Sequence, residues 1–117
     1  MKIEYQDNGP VTILSVKGDL SVEDTDRFRR EALNRMEAQA RDFVLNFEGL
    51  DFIDSRGLEA LLWLQDRCAE LLGQVRIAAC PGHIMKVLEV TRLSSRFACH
   101  EDVDSAVESL HDPGIGI

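Results

Sequence analysis

The chain has 117 residues, 44% of them apolar and 29% charged, with 13 Lys+Arg against 21 Asp+Glu and a net charge of −8. That is the length of one domain, large enough to bury a core without disulfides or metal. The acidic balance and the lack of a basic run exclude the phosphate-neutralising surface of a nucleic-acid binder.

The longest apolar run, Ala60 to Leu64, is far short of the ~20 residues a membrane span needs. Met1 to Asp7 lacks the apolar stretch of a signal peptide. Three cysteines fit a reducing cytoplasm better than a secreted disulfide framework. These features set the expected localisation as cytoplasmic.

Two apolar runs, Lys2 to Gln6 and Val11 to Lys17, flank Asp7-Asn8-Gly9-Pro10. This cluster of turn formers predicts a hairpin, with positive φ at Gly9. Gly18 is expected to end the second strand. Ser21-Val22-Glu23-Asp24 has the capping-box pattern, a hydroxyl at the cap and an acid three residues on. The helix that follows carries Phe28, Ala32, Met36 and Ala40 in one stripe with Leu33, and Arg35 falls on its mixed, solvated face.

Phe43-Val44-Leu45 reads as a buried strand. Phe52 and Ile53 lead to Ser55, which opens a second helix with Leu58, Leu61, Leu62, Cys68 and Leu72 at helical spacing. Gly73 stands where a left-handed cap is wanted. Val75 to Ala79 alternates as a strand. Pro81 suits the first turn of a helix whose Ile84, Val87 and Leu88 face inward. Phe97 to Cys99 reads as a short last strand. Asp102 caps a final helix carrying Val103, Ala106, Val107 and Leu110. The ordered core is expected over about 2–110, with a frayed tail over 111–117.

The order β-β-α-β-α-β-α-β-α predicts a single α/β domain: a mostly parallel five-stranded sheet, an antiparallel N-terminal strand and about four helices. Sites in such sheets lie beyond the carboxyl ends of the parallel strands. Here those ends are Gly18 to Ser21, Asn46 to Ser55, Cys80 to His83 and Cys99 to Glu101.

Ser55 is the focus of the second end. A hydroxyl at a helix start caps backbone N–H groups. The same position favours negative charge, so a phosphoryl group on Ser55 is expected to meet the Arg56, Gly57 and Leu58 amides directly. A nucleophile elbow requires Gly two residues before the serine, and Ile53 stands there, which argues against a hydrolase. Receiver-type phosphoacceptor chemistry needs a lysine after the last parallel strand; Lys2, Lys17 and Lys86 are the only lysines, and none lies there. Cys80, His83, Cys99 and His100 form the one soft-ligand cluster, but their spacing matches no familiar zinc pattern, and no metal or cofactor is expected. Trp63 is read as core, with an interface anchor as the alternative.

Asp54-Ser55-Arg56-Gly57-Leu58, preceded by Asn46 to Ile53, resembles the motif of STAS domains, specifically the bacterial anti-sigma-factor antagonists. There an Asp-Ser-Ser/Thr-Gly-Leu stretch opens the helix after the third strand. Gly18-Asp19-Leu20 resembles the family's turn after strand two, and the likeness runs from about Val11 to Leu110. The resemblance implies a non-enzymatic switch. The unphosphorylated antagonist binds a kinase-type anti-sigma factor, phosphorylation of Ser55 by that serine kinase releases it, and a metal-dependent serine phosphatase reverses the mark. Partner contact is expected from Gly18, Asp19, Leu20, Ser21, Asp54, Ser55, Arg56, Gly57 and Leu58. Arg56 stands where relatives carry a small hydroxyl residue, and Ser21 where they often carry Asp. A constitutive STAS subunit of a lipid transporter or stress-sensing scaffold is the alternative.

Overall fold

The computed structural model describes residues 1–111, so of the tail expected to fray over 111–117 only His111 is described, as the last residue of a helix, and the rest lies outside the described residues. β1 (Lys2–Asn8) and β2 (Val11–Leu20) form the predicted hairpin, pairing antiparallel from Lys2↔Lys17 to Asn8↔Val11. Gly9 takes φ +64° in the two-residue turn, as the sequence requires.

α1 (Thr25–Glu37), β3 (Asp42–Asn46), β4 (Leu50–Ile53), α2 (Ser55–Glu70), β5 (Val75–Ala78) and α3 (Gly82–Val90) follow. A 3-10 turn (Ser94–Arg96), β6 (Ala98–His100) and α4 (Val103–His111) complete the described chain. The sheet order is β1-β2-β3-β5-β6, parallel from β2 onward. β4 is added beside the far half of β2, also parallel.

The sheet therefore has six strands rather than the expected five. β2 also runs past Gly18 to Leu20 instead of ending there. Gly18 takes φ +87° and the register shifts between Gly18 and Asp19. That left-handed bend, which glycine adopts without steric cost, turns β2 from β3 toward β4, and the Gly18 amide donates to the Gly49 carbonyl at 2.9 Å.

Strand periodicity divides the apolar side chains between two layers. Leu14, Val16, Phe43, Leu45, Val75 and Ile77 face one side, where Phe28 of α1, Leu61 and Leu64 of α2 and Leu88 of α3 pack on them. Val11, Val44 and Ala78 face the other and meet Ala106 of α4. Alternation at a period of two is what lets one sheet serve both layers. Asp102 caps α4 as expected, its Oδ1 accepting from the Ser105 amide at 2.8 Å.

Other local expectations need correction. α1 starts at Thr25 behind Asp24, so Ser21 caps no helix. It sits in a turn in which the Asp24 amide donates to its carbonyl at 2.8 Å and its hydroxyl donates to Asp24 Oδ2 at 3.2 Å. The left-handed residue after α2 is Leu72, φ +61° and 86% exposed, not Gly73. Gly73 is glycine for a different reason: a Cβ there would fall 1.8 Å from the Arg41 carbonyl oxygen. Arg35 is not a free surface residue. Its Nη1 donates to Asp7 at 2.9 Å and its guanidinium lies 3.8 Å from the Tyr5 ring centroid. Leu62 is only half-buried, whereas Leu61 is fully buried.

Candidate functional site

β2 and β4 end side by side, and α2 begins from the same corner. The junction is held by Asp54. Its backbone is extended (φ −103°, ψ −177°), as an N-cap residue requires. Its Oδ1 accepts from the Gly57 amide at 2.9 Å, and its Oδ2 accepts from the Val22 amide at 2.9 Å. The Asp54 amide donates to the Leu20 carbonyl at 3.3 Å, and the Asp54 carbonyl accepts from the Leu58 amide at 3.0 Å. One carboxylate thus joins the start of α2 to the turn after β2. The Gly57 N–H holds its carboxyl below the usual range; partial desolvation opposes this, and Val22 reinforces it.

The helix cap is therefore Asp54, and Ser55 is the first residue of α2. Ser55 is exposed, and among the described residues no hydrogen bond engages its hydroxyl. Of the amides expected to receive a phosphate on Ser55, those of Gly57 and Leu58 are already taken by Asp54. A phosphate at Ser55 would compete with Asp54 for these two amides, still within the favourable field of the helix N-terminus.

Gly57 and Leu58 are buried beneath this surface. A Cβ on Gly57 would lie 2.4 Å from the Leu20 carbonyl oxygen and 2.7 Å from Ile53 Cγ1, so only glycine lets α2 start this close to β2. Leu20 is wholly buried as well, which makes Gly18, Leu20, Gly57 and Leu58 supports of the corner. Asp19, Ser55 and Arg56 are its exposed groups, with Ser21 and Asp54 half-buried. Arg56 Nη1 lies 3.4 Å from Glu59 Oε2 along α2, and its side chain is 64% exposed.

Two residues at this corner escaped sequence reasoning. Phe52 is 51% exposed and Val22 59% exposed. Phe52 pairs in register with Asp19, and the Val22 amide is the group held by Asp54. The sequence carried no signal for Phe52, because β4 is buried at Leu50 and Ile53 and exposed between them, without alternation.

The soft-ligand cluster is divided. Cys80, Cys99 and His100 line a cavity of about 420 Å³ with Met85, while His83 Nε2 turns to the Asp51 carbonyl at 2.8 Å. Burial, with Cys99 nearby, pushes the Cys80 thiol up to about 11, leaving it protonated at neutral pH. Among the described residues no group of three or more His, Cys, Asp or Glu is placed to hold a metal ion. Trp63 is half-buried at the edge of the core, with the Arg29 guanidinium of α1 5.8 Å from its ring centroid. No described helix is long and apolar enough to cross a membrane.

Solved structures share this architecture. An anti-sigma factor antagonist from Mycobacterium paratuberculosis superposes with a TM-score of 0.83 at 17% identity, covering 95% of this chain and 94% of that one. The Bacillus cell fate determinant SpoIIAA in its phosphorylated form gives 0.72 at 15% identity, over 92% and 98% of the two chains. A sulfate transporter family protein from Wolinella succinogenes gives 0.76 at 18%, over 87% and 85%. At these identities the likeness is one of fold. No curated protein matches the sequence. The STAS domain family model matches residues 2–106. With nearly the whole described chain covered by that match, and with the sheet and four helices arranged as described, this protein belongs to the STAS domain family.

Proposed function

We propose that this protein is an anti-sigma factor antagonist, a binding switch rather than an enzyme. In its unphosphorylated form it binds a kinase-type anti-sigma factor, and phosphorylation of Ser55 by that kinase releases it. A metal-dependent serine phosphatase restores the binding form. The observation that carries this reading is the exposed, unengaged Ser55 hydroxyl at the first position of α2, beside a helix cap supplied by Asp54. A serine with no capping duty is open to an incoming kinase site.

Hydrolase chemistry has little to work with here: among the described residues no histidine is hydrogen-bonded to Ser55. The switch follows from charge. Phosphorylation brings about −1.5 to −2 charges to a surface that already holds Asp54 and Asp19, and a docked partner would have to desolvate it. A loss of 1–3 kcal/mol weakens binding roughly 5- to 150-fold. A protein acting with such kinases would work in the cytoplasm.

Incubation with ATP and each kinase-type anti-sigma factor of the host, followed by intact mass, tests the reading. One added phosphoryl group, absent in Ser55→Ala, is the expected result. Binding that is equal for Ser55→Ala and Ser55→Asp, with both folded, would instead support a constitutive STAS subunit of a transporter or scaffold.

A further inference from the structure

From the exposed apolar side chains at the Ser55 corner, we infer that Phe52 and Val22 are the apolar anchors of the partner interface, and that the partner meets them with an apolar recess rimmed by basic residues. This rests on the proposed switch for the partner's class but on separate observations for its chemistry. Phe52 and Val22 are each more than half exposed, although Phe52 lies on the paired strand β4 and Val22 in a turn tied by its amide to the Asp54 carboxylate. Asp19 is Phe52's register partner on β2, and Asp54 fixes the Val22 amide at 2.9 Å. The two side chains are therefore presented on pinned backbone, which limits the ordering cost of binding.

The surrounding charge selects the occupant. Asp19 and Glu23 on the β2 side and Asp51 on β4 are exposed, and among the described residues none of the three joins an ion pair. Of the cations described near the corner, Arg56 is matched by Glu59, and the N-terminal ammonium of Met1, beside Gly18, is matched by Asp24 at 3.9 Å. An apolar pair among unpaired carboxylates complements a basic protein surface with a hydrophobic pocket, and it repels an acidic surface or a second copy of this corner. The same placement explains how a phosphate three residues from Phe52 could act on the interface: it adds charge at the edge of an apolar contact.

The experiment measures binding of full-length variants to the host kinase that phosphorylates Ser55, with ADP present to prevent turnover. Phe52→Ala and Val22→Ser should each weaken binding about 10- to 100-fold while circular dichroism and thermal midpoint stay near wild type. Asp19→Asn, Glu23→Gln and Asp51→Asn combined should flatten the salt dependence of the affinity. Leu72→Ser, at a more accessible leucine beyond the far end of α2, should leave the affinity unchanged. Folded Phe52→Ala and Val22→Ser proteins that bind like wild type overturn the proposal even if Ser55→Asp abolishes binding. Conversely, loss of binding in Phe52→Ala with none in Ser55→Asp keeps the surface and removes the switch. If no kinase of that class binds, a synthetic Leu/Lys amphipathic helix becomes the probe. Amide shifts confined to 19–23 and 51–56 then support the surface, and shifts elsewhere or nowhere overturn it. A concentration-dependent dimer abolished by Phe52→Ala would also overturn it, by giving the surface to a second copy.

Discussion

Removing the Asp54 carboxylate separates the two elements that meet at Ser55. Asp54→Ala deletes a helix cap, a loss of about 0.5–2 kcal/mol. It also deletes the bond from the Val22 amide, a charge-assisted contact of about 1.5–3 kcal/mol when buried and less here, where the carboxylate is half exposed. Together these give an expected destabilisation of about 2–3 kcal/mol at pH 7. Asp54→Asn retains one carbonyl acceptor, so it should keep the Gly57 or the Val22 bond but not both, and should fall between alanine and wild type. The sign of the pH dependence follows from the lowered carboxyl of Asp54. Its contribution is complete above the unfolded value of about 3.9 and is lost as pH falls through the lower folded value. Urea midpoints at pH 7 and in steps toward pH 3 should show the gap between wild type and Asp54→Ala narrowing only in the acid range. A gap below about 0.5 kcal/mol at pH 7, or one that does not narrow in acid, would refute the view that this carboxylate joins β2 to α2.

Gly57→Ala places a Cβ 2.4 Å from the Leu20 carbonyl oxygen; overpacking of about 1–3 kcal/mol should exceed the helix-propensity gain of about 1 kcal/mol, giving a lower urea midpoint. Leu61→Ala, at a position with no exposure, should lose about 2–5 kcal/mol in denaturant titration, and half-buried Leu62→Ala clearly less. Arg35→Ala should lower the thermal midpoint by the equivalent of about 1–2 kcal/mol, because it breaks the Asp7 bond and the Tyr5 stack at once.

The frame of the fold was legible because its signals are periodic. Val11 to Lys17 and Val75 to Ala79 alternate at a period of two, and the spacing of Phe28 and Ala32 or of Leu58, Leu61 and Cys68 marks helix faces. β4 was not legible: four residues, buried at Leu50 and Ile53 and exposed between them, present no alternation, and only the bend at Gly18 creates a place for the strand. The Asp54-Ser55 pair offers two cap formers in succession. Sequence cannot choose between them, because the choice depends on the Val22 amide, 32 residues away. Arg35 looked solvated for the same reason, since Asp7 and Tyr5 come beside it only through the β1–β2 hairpin and its packing near α1. Gly73 was correctly marked as special but for the wrong cause: the constraint is the Arg41 carbonyl against it, not its own φ.

The central claim, that Ser55 chemistry governs partner binding, is tested most directly by titration calorimetry of one kinase-type anti-sigma factor with two preparations of this chain. One is unmodified and the other is stoichiometrically phosphorylated at Ser55, both verified by intact mass. The account predicts tight association for the unmodified chain and an affinity lower by roughly 5- to 150-fold for the phosphorylated one. Equal affinities for the two preparations would contradict it.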